Sequence, residues 1–571
     1  VAARGIDTPD ALRAFLADPL DGLHDPALLP DAALLVERIR LARERDEVVL
    51  VFGDFDADGL TGLAILARAL RALRLRAEPY VPSRLDEGHG LSLEAVRTAE
   101  RLGARLIVTV DTGSSSGREI GAAAERGIDV IVTDHHRVPP VAPPALALVN
   151  AHRPDASYPD ARLSGAGVAF KVAQLLVREL AATGPGGLEP FEPLDLADLA
   201  AIGTVADLAP VLGENRAIAR LGLARLRTNA HAGLAALLAR AGVVPARADL
   251  ETIAFAIAPR LNAAGRVGDP MDAARLLLTD DPSEADALAE RLEAANGERR
   301  ELTRAAIADA RGLVASGDGP ILIRGAWPVG IVGLVASRLV DDTGRAAVVA
   351  TDTGGVLRAS CRSDGIVDLG AALEGCADLL ERHGGHPGAA GFELLADRWD
   401  VFCERFRLVV EALAPAATAP DTGEEPDARR PLRVELALEP GAVDYGLLRD
   451  LARLEPTGPG HPEVLVAISG LIVVRVRAAS GGHTQVTLRR ERDVLDAIAF
   501  GRDDLPALLA EGDRVDVVAR LASRTFGGFE SLQLDVRDVA GHGAETALVA
   551  ALAEAAIGRD SRAPSVVGAT S

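Results

Sequence analysis

Carboxylate and imidazole side chains gather in this sequence at the ends of apolar runs. Val48–Phe52 reads VVLVF and stops at Gly53-Asp54-Phe55-Asp56-Ala57-Asp58-Gly59, with three aspartates at alternate positions. If the chain stays extended there, Asp54, Asp56 and Asp58 project to one side. Three unpaired carboxylates so close repel one another unless a cation sits among them. An acidic loop after a strand is the plainer reading. Against it, the pattern recurs: Arg105–Val110 ends in Asp111, Val130–Thr133 in Asp134-His135-His136, and Asp207 follows a helix-like stretch ending at Ala206. Carboxylates with imidazole suit manganese or magnesium rather than a soft thiolate site. More ligands than one ion needs point to two ions and a bridging carboxylate.

Strand-length runs separated by helical patterns imply parallel βαβ units, in which ligands bind beyond the carboxyl ends of the strands. The strand-end clusters should therefore converge at one edge. Helical spacing runs over Leu60–Leu73 and Ser116–Arg126, and Asp195–Ala206 forms the helix that delivers Asp207. Leu163–Phe170 is glycine-rich and opens a helix. It lacks P-loop spacing, so close helix packing is favoured over a phosphate cradle. Pro282–Val314 is helical over an unusual length and reads as a strut between domains; its arginines read as a solvated face paired with Glu293, Glu298 and Glu301. A second α/β unit follows, with strands Ile321–Arg324, Ala346–Ala350 and Val356–Arg362, helices Ile331–Leu339 and Leu369–Arg382, and a Gly384–Gly391 loop. Residues 414–430, rich in Ala, Pro, Thr and acids, form a linker. Short β-rich runs at Val464–Ile468, Leu471–Ala478, Thr484–Arg489, Val515–Leu521 and Ser531–Val536 then suggest a small barrel. Arg475, Arg477, Arg489, Arg490 and Arg524 with Phe526 and Phe529 would track a single strand there, or the rings would fill the barrel.

Asp54-Phe55-Asp56-Ala57-Asp58-Gly59, Val110-Asp111-Thr112-Gly113 and Asp134-His135-His136 resemble the first three motifs of the DHH phosphoesterase superfamily. Pro259-Arg260-Leu261-Asn262-Ala263-Ala264-Gly265-Arg266 and Gly384-Gly385-His386-Pro387-Gly388-Ala389-Ala390-Gly391 narrow the resemblance to the RecJ exonucleases, from about Arg4 to near Val539. The fold this implies is α/β: a parallel-sheet DHH domain joined by a long helix to a smaller α/β DHHA1 domain, then an OB-like β-barrel. Its expected boundaries are a helical lead-in over 1–46, DHH domain 47–280, connecting helix 281–318, DHHA1 domain 319–414, linker 415–430, OB-fold domain 431–541 and tail 542–571.

The function the resemblance implies is hydrolysis of single-stranded DNA from the 5′ end to 5′-mononucleotides, in DNA repair and recombination. Asp56, Asp58, Asp111, His135 and Asp207 match the ligands of two Mn2+ or Mg2+ ions, with Asp111 bridging. Asp54 and His136 match supporting positions, and the ions would activate a water for in-line attack on phosphorus. His386 would hold the substrate phosphates with Arg260, Arg266 and Arg362. Arg84, Asn262, Ser360, Ser363 and Gly385 complete the expected substrate contacts. Single-stranded-DNA-binding protein and a RecQ-type helicase are the implied partners. Two alternatives stand beside this reading: a DHH phosphodiesterase for short oligonucleotides or cyclic dinucleotides, and a non-catalytic strand-binding subunit on the same fold.

Composition bounds these readings. The 571 residues suggest three or four domains, and 48% hydrophobic with 25% charged residues is globular. Cys361, Cys376 and Cys403 show neither disulfide nor zinc spacing. With no apolar leader and no run of membrane-spanning length, a reduced, soluble, cytoplasmic protein without membrane contact is expected. A net charge of −22 sits poorly with a nucleic-acid partner unless a basic groove lies on an acidic body. Lys171 is the only lysine, a bias that decides nothing about function.

Overall fold

The computed structural model describes residues 4–84, 86–181, 191–228, 230–363, 365, 367–413, 432–526 and 529–542. Its chain divides into two compact units, residues 18–428 and residues 1–17 with 429–571.

The larger unit is built on two five-stranded sheets. The first has the order β2-β1-β3-β4-β5. Its strands are β1 (Val48–Gly53), β2 (Arg76–Tyr80), β3 (Ala104–Val110), β4 (Asp129–Thr133) and β5 (Ala147–Val149), and all its pairings are parallel. Every residue of β1 is buried. Alternate side chains serve opposite faces, as strand geometry requires. Val49, Val51, Val108 and Ile131 pack against helices α1 (Ala57–Ala72), α2 (Gly165–Leu180) and α3 (Ala197–Ala206). Leu50, Phe52, Ile107, Val130 and Val132 face the helices Leu93–Arg101 and Gly117–Ala124. A parallel sheet covered on both faces explains why its strands read as unbroken apolar runs. The lone lysine, Lys171 on α2, is buried in this layer and pairs with Glu214 at 3.0 Å.

The Arg260–Arg266 stretch lies in α4 (Ala258–Val267). The expected strut forms as α5 (Pro282–Leu313), 32 residues long. At about 1.5 Å per residue this helix crosses roughly 48 Å. Ala285, Leu288, Ala289 and Leu292 seat its first half in the core of the first sheet. Ala306 and Ala310 seat its second half against the next one. That sheet has the order β6-β7-β8-β10-β9. It comprises β6 (Ile321–Gly325), β7 (Ala347–Asp352), β8 (Val356–Arg362), β9 (Arg382–His386) and β10 (Ala389–Leu395), with α6 (Val329–Thr343) on one face.

Here the structure corrects the sequence-based expectation. The helix expected over Leu369–Arg382 stops at Glu374, ahead of Gly375. The expected Gly384–Gly391 loop is a β-hairpin, β9 pairing antiparallel with β10 from Arg382↔Glu393 to His386↔Ala389. Two glycines within β9 hid the strand, because glycine carries no β propensity. Gly385, at φ 144°, lies where Ala390 leaves no space for a Cβ.

In the second unit, β12 (Leu465–Ala479), β13 (His483–Arg490), β14 (Asp493–Ala499), β15 (Arg514–Phe526) and β16 (Phe529–Gly541) close into a barrel through the β12–β15 pairing. β11 (Val434–Leu438) adds parallel to β12. The two runs expected at Val464–Ile468 and Leu471–Ala478 are one strand, kinked at Gly470, whose φ is 64°. β14 was not expected, since Asp493 and Asp496 interrupt its apolar pattern. The first residues pack with this barrel: the buried Arg4 pairs with Glu435 at 2.8 Å. The expected linker over 415–430 and tail beyond His542 lie outside the described residues. Among the described residues, no helix is long and apolar enough to cross a membrane.

Candidate active site

One row of residues lies a step beyond the paired ends of four adjacent strands. The Asp54 N–H reaches the Val110 carbonyl (3.4 Å), the Asp111 N–H that of Thr133 (3.0 Å), and the Asp134 N–H that of Val149 (3.1 Å). Asn150 follows β5 in the same row. Parallel register therefore aligns Asp54, Asp111, Asp134 and Asn150 along one edge, the expected location for a ligand.

The chain is not extended through the first cluster, as the sequence had suggested. It turns after Asp54, and α1 begins at Ala57 with Asp56 as its N-cap, accepting from the N–H groups of Asp58 and Gly59 at 3.0 Å each. The three aspartates consequently serve different groups. Asp54, Asp56 and Asp111 form one set whose oxygens lie within 4.8 Å of one another; Asp58, His135 and Asp207 form a second; Asp111, His135 and His136 form a third that joins them. Acid and imidazole groups are thus positioned to hold metal ions.

Several local features fix this arrangement. Asp58 receives the first N–H groups of α2, Gly165 to Oδ2 at 2.7 Å and Ala166 to Oδ1 at 2.9 Å. A helix N-terminus favours a carboxylate by its free donors and its dipole. Small residues are obligatory around it. A Cβ on Gly165 would lie 2.5 Å from Asp111 Oδ1, and one on Gly203 would lie 2.3 Å from Asp58 Oδ1. The glycine-rich stretch does pack closely, as expected, but what it packs against is the acid cluster. Asp111 itself has a φ of 60°, a strained conformation for a non-glycine residue.

The third cluster is organised by Asp134, which the sequence reading named in its motif without giving it a role. Its buried carboxylate accepts from the N–H groups of Ser114 (3.0 Å), His135 (2.8 Å) and His136 (3.1 Å), and bonds the His136 ring at 2.8 Å. Burial works to raise the Asp134 pKa, yet the bonds from His136 and Ser114 hold it well below the usual carboxylate range. In return the Asp134 bond raises the His136 ring to about 9. Asn150 ties the loop down by donating to Ser114 Oγ (2.9 Å) and the His136 carbonyl (2.8 Å).

The electrostatics of the cluster call for positive charge. Burial, then the charges of Asp54 and Asp58, raise Asp56 to about 6. Burial and Asp58 raise Asp207 to about 7. Asp111 is pushed well above the carboxylate range by burial, Asp58 and Asp56. Asp111 Oδ1 and His135 Nε2 lie 3.0 Å apart. Both atoms are buried and neither makes a hydrogen bond. Two orphaned polar atoms converging in an acidic pocket fit a shared cation.

Facing the acids is a basic set. The His386 ring stacks on that of His136, centroids 5.8 Å apart and planes 19° apart. Across the second sheet, Ala389 is paired on one side with Arg362 and on the other with His386. At about 4.8 Å between strands these two side chains flank a small residue roughly 10 Å apart. A Cβ on Gly333 of α6 would meet Arg362 Nη2 at 3.1 Å and Ser360 Oγ at 3.4 Å. Arg266 donates to the Gly330 carbonyl at 3.0 Å. Burial first, then the like charges of Arg84, Arg299 and Arg362, push Arg266 down to about 9. Arg84 lies over the Phe55 ring at 4.9 Å. Cations crowded together make a receptive anion site.

Other expected contacts are placed differently. Arg260 is engaged by Glu293 at 2.5 Å and by the Ala256 carbonyl. Asn262 uses its side-chain oxygen to accept the Ala57 N–H at 2.7 Å, so it steadies the start of α1. Ser363 Oγ closes a turn to the Val367 carbonyl at 3.0 Å, and Gly385 sits within β9. His89 bonds Asp54 Oδ2 at 3.0 Å and packs on Phe55 at 4.5 Å. In the barrel, Arg477 bonds Gln485 and Arg490 pairs with Glu439 at 2.8 Å. The side chains of Phe526 and Phe529 lie outside the described residues.

Comparison with known proteins agrees with this geometry. Residues 48–204 match the model of the DHH family, N-terminal domain; residues 318–412 match the DHHA1 domain; residues 434–538 match the RecJ OB domain. The single-stranded-DNA-specific exonuclease RecJ of Thermus thermophilus is 37% identical over 526 residues, covering 91% of this chain and 71% of that protein. A crystal structure of RecJ from that organism in complex with Mn2+ superposes with a TM-score of 0.75 at 32% identity, over 90% of this chain and 72% of that one. Its Mg2+ complex gives a TM-score of 0.71 at 30% identity, over 94% and 73%.

Proposed function

This chain belongs to the RecJ family of single-stranded-DNA-specific exonucleases, and from that premise we propose that it hydrolyses single-stranded DNA from the 5′ end, releasing 5′-mononucleotides, with two Mn2+ or Mg2+ ions at the acid cluster. The observation that carries this reading is the buried pair of Asp111 Oδ1 and His135 Nε2, 3.0 Å apart without a hydrogen bond, where the ligand sets overlap. Asp54, Asp56 and Asp111 would hold one ion; Asp58, His135 and Asp207, sharing Asp111, would hold the other. When bound, such ions supply positive charge to the phosphate oxygens and acidify water.

The remaining work falls to the chain itself. The α2 N–H groups fix the Asp58 carboxylate in orientation, and Asp134 holds His136 in place beside His386. His386, Arg266 and Arg362 neutralise and orient the phosphates. Arg362 with Ser360 is the natural holder of a terminal phosphate, which supports attack from the 5′ end; family membership supports it further. The close approach of His136 to His386 narrows the space between the two walls and so favours one strand over a duplex, which is about twice as wide. The complete ligand set argues against a non-catalytic subunit, and the RecJ OB domain match argues against a dinucleotide phosphodiesterase. Free, buried cysteines suit the cytoplasm. A RecQ-type helicase, which would bare strands during repair and recombination, and single-stranded-DNA-binding protein, which would coat them, are the proposed partners.

The test is a 3′-labelled strand with a blocked 3′ terminus, offered with Mn2+ beside the same strand in a blunt duplex. Shortening from the far end of the single strand only is expected. Arrest by the 3′ block, or equal consumption of the duplex, would overturn the reading.

A further inference from the structure

Leu208 follows Asp207 directly and has a φ of 58°. It ends α3 in the left-handed region: the Asp207 N–H bonds the Gly203 carbonyl (2.9 Å), the Leu208 N–H that of Val205 (3.2 Å), and the Ala209 N–H that of Thr204 (3.1 Å). Glycine is the usual residue in such a helix end, because a Cβ there crowds the backbone. Leucine is equally out of place by exposure. Its side chain is 70% exposed, while Val205, Ala209 and Val211 around it are buried. Those neighbours anchor the segment, so Leu208 contributes little to the core. Two unfavourable features therefore coincide at one residue, a strained backbone and a large apolar group in water. Strain of this kind clusters at ligand sites, and Asp111 (φ 60°) shares it within the acid cluster.

The neighbour supplies the location. The Leu208 Cα is one peptide, about 3.8 Å, from that of Asp207, whose carboxylate belongs to the set with Asp58 and His135. Leu208 therefore stands at the rim of the acid wall. Resting on the exonuclease reading above, we propose that Leu208 is a substrate-positioning contact that packs its branched side chain against a base flanking the scissile phosphate. The chemistry suits an enzyme that must remove any nucleotide. Every base has an apolar face, so such contact is tolerant of sequence. An aliphatic tip adds no hydrogen-bond requirement of its own.

The experiment compares the full chain with L208G and L208M in Mn2+, on an ordinary single strand and on one whose first two nucleotides at the attacked end are abasic. L208G relieves the backbone, so its thermal midpoint should equal or exceed the parent's. Its KM on the ordinary strand should rise about fivefold or more with kcat within about twofold, and L208M should stay near the parent. On the abasic strand the parent and L208G should converge. A residue with a purely structural role would lower the midpoint and penalise both strands alike. A KM for L208G within about twofold of the parent on the ordinary strand, or an undiminished penalty on the abasic one, overturns the contact. Cleavage of the ordinary strand by the parent is the separate control, on which the exonuclease reading stands or falls.

Discussion

The two five-stranded sheets of the larger unit treat charge in opposite ways. In the parallel sheet, β1, β3 and β4 each end in an aspartate at the same level, and two neighbouring helix ends add Asp58 and Asp207. Nothing in a parallel sheet separates residues that stand at equivalent strand ends, so like charges accumulate at one edge. The mixed sheet instead uses antiparallel register. It sets Arg362 and His386 on either side of Ala389, and α4 adds Arg266 from outside. The acid wall is a set of groups short of positive charge; the basic wall is a set of donors short of an anion. A phosphodiester with metal ions satisfies both.

That contrast is easiest to break at the residue common to the metal sets. D111N keeps the shape of the side chain but removes a charge from the shared position, and a loss of cleavage of about 1,000-fold or more is expected. Strand binding, assigned above to groups other than Asp111, should survive. Single-turnover cleavage beside an anisotropy titration decides the matter. Activity within about tenfold of the parent would mean that Asp111 does not join the two sets.

The packing around the acid wall can be tested without touching a charge. In G165A the new Cβ would stand 2.4 Å from the Asp111 Cβ and 2.5 Å from Oδ1. Asp111 must shift, since the alanine belongs to the backbone of α2. A loss of about 100-fold, with weaker Mn2+ binding by calorimetry, is expected from displacing one ligand by roughly 1 Å. Unchanged Mn2+ affinity would show that the cluster tolerates the shift.

H386A separates the two walls. If His386 serves phosphate and not metal, kcat should fall about 10- to 100-fold while Mn2+ affinity stays within about twofold. A large loss of Mn2+ affinity would move His386 into the acid wall's machinery, and the division drawn above would fail.

How much of this was legible in the sequence depends on how local each signal is. Strand-end acids are local: an apolar run followed by Asp or His marks both the element and the edge where it ends, which is how Asp54, Asp111 and His135 were picked out, while Asp207 was picked out at the end of a helical stretch. The turn after Asp54 could not, because alternate aspartates look the same in a strand and in a helix cap. Gly165 and Gly203 reach the cluster only through the packing of α2 and α3 on α1, which no spacing reveals. Asp134 was visible in its motif, but its role depends on three N–H groups that converge only once the loop is folded. The mixed sheet was the less legible region. Glycines concealed β9, and the Arg362–Ala389–His386 row exists only through a register between strands. Arg260 shows a related limit: its motif does not reveal that Glu293 engages it across a helix interface.

The smallest effect expected is on stability, and its sign separates the two walls once more. Asp56 and Asp207 have folded values near 6 and 7, above the unfolded carboxylate value of 3.8. Between those limits the folded chain binds more protons than the unfolded one, so without metal its stability falls as pH rises from about 4 through 7. His136 acts in the same direction at higher pH. Its value near 9 lies above the ordinary 6.5, so its contribution is present below 6.5 and is lost as pH rises through 9. Bound cations take over the charge that these protons supply, and they bind best where the carboxylates are ionised. In chelator the thermal midpoint of the larger unit should therefore drop by a few degrees between pH 5 and 8, whereas Mn2+ should stabilise more at pH 8 than at pH 5. R362Q, altered only in the basic wall, should retain both trends. A midpoint in chelator that rises over this range would show that the acid wall is not held together by protons in the absence of metal, and that its charges are compensated from within the fold.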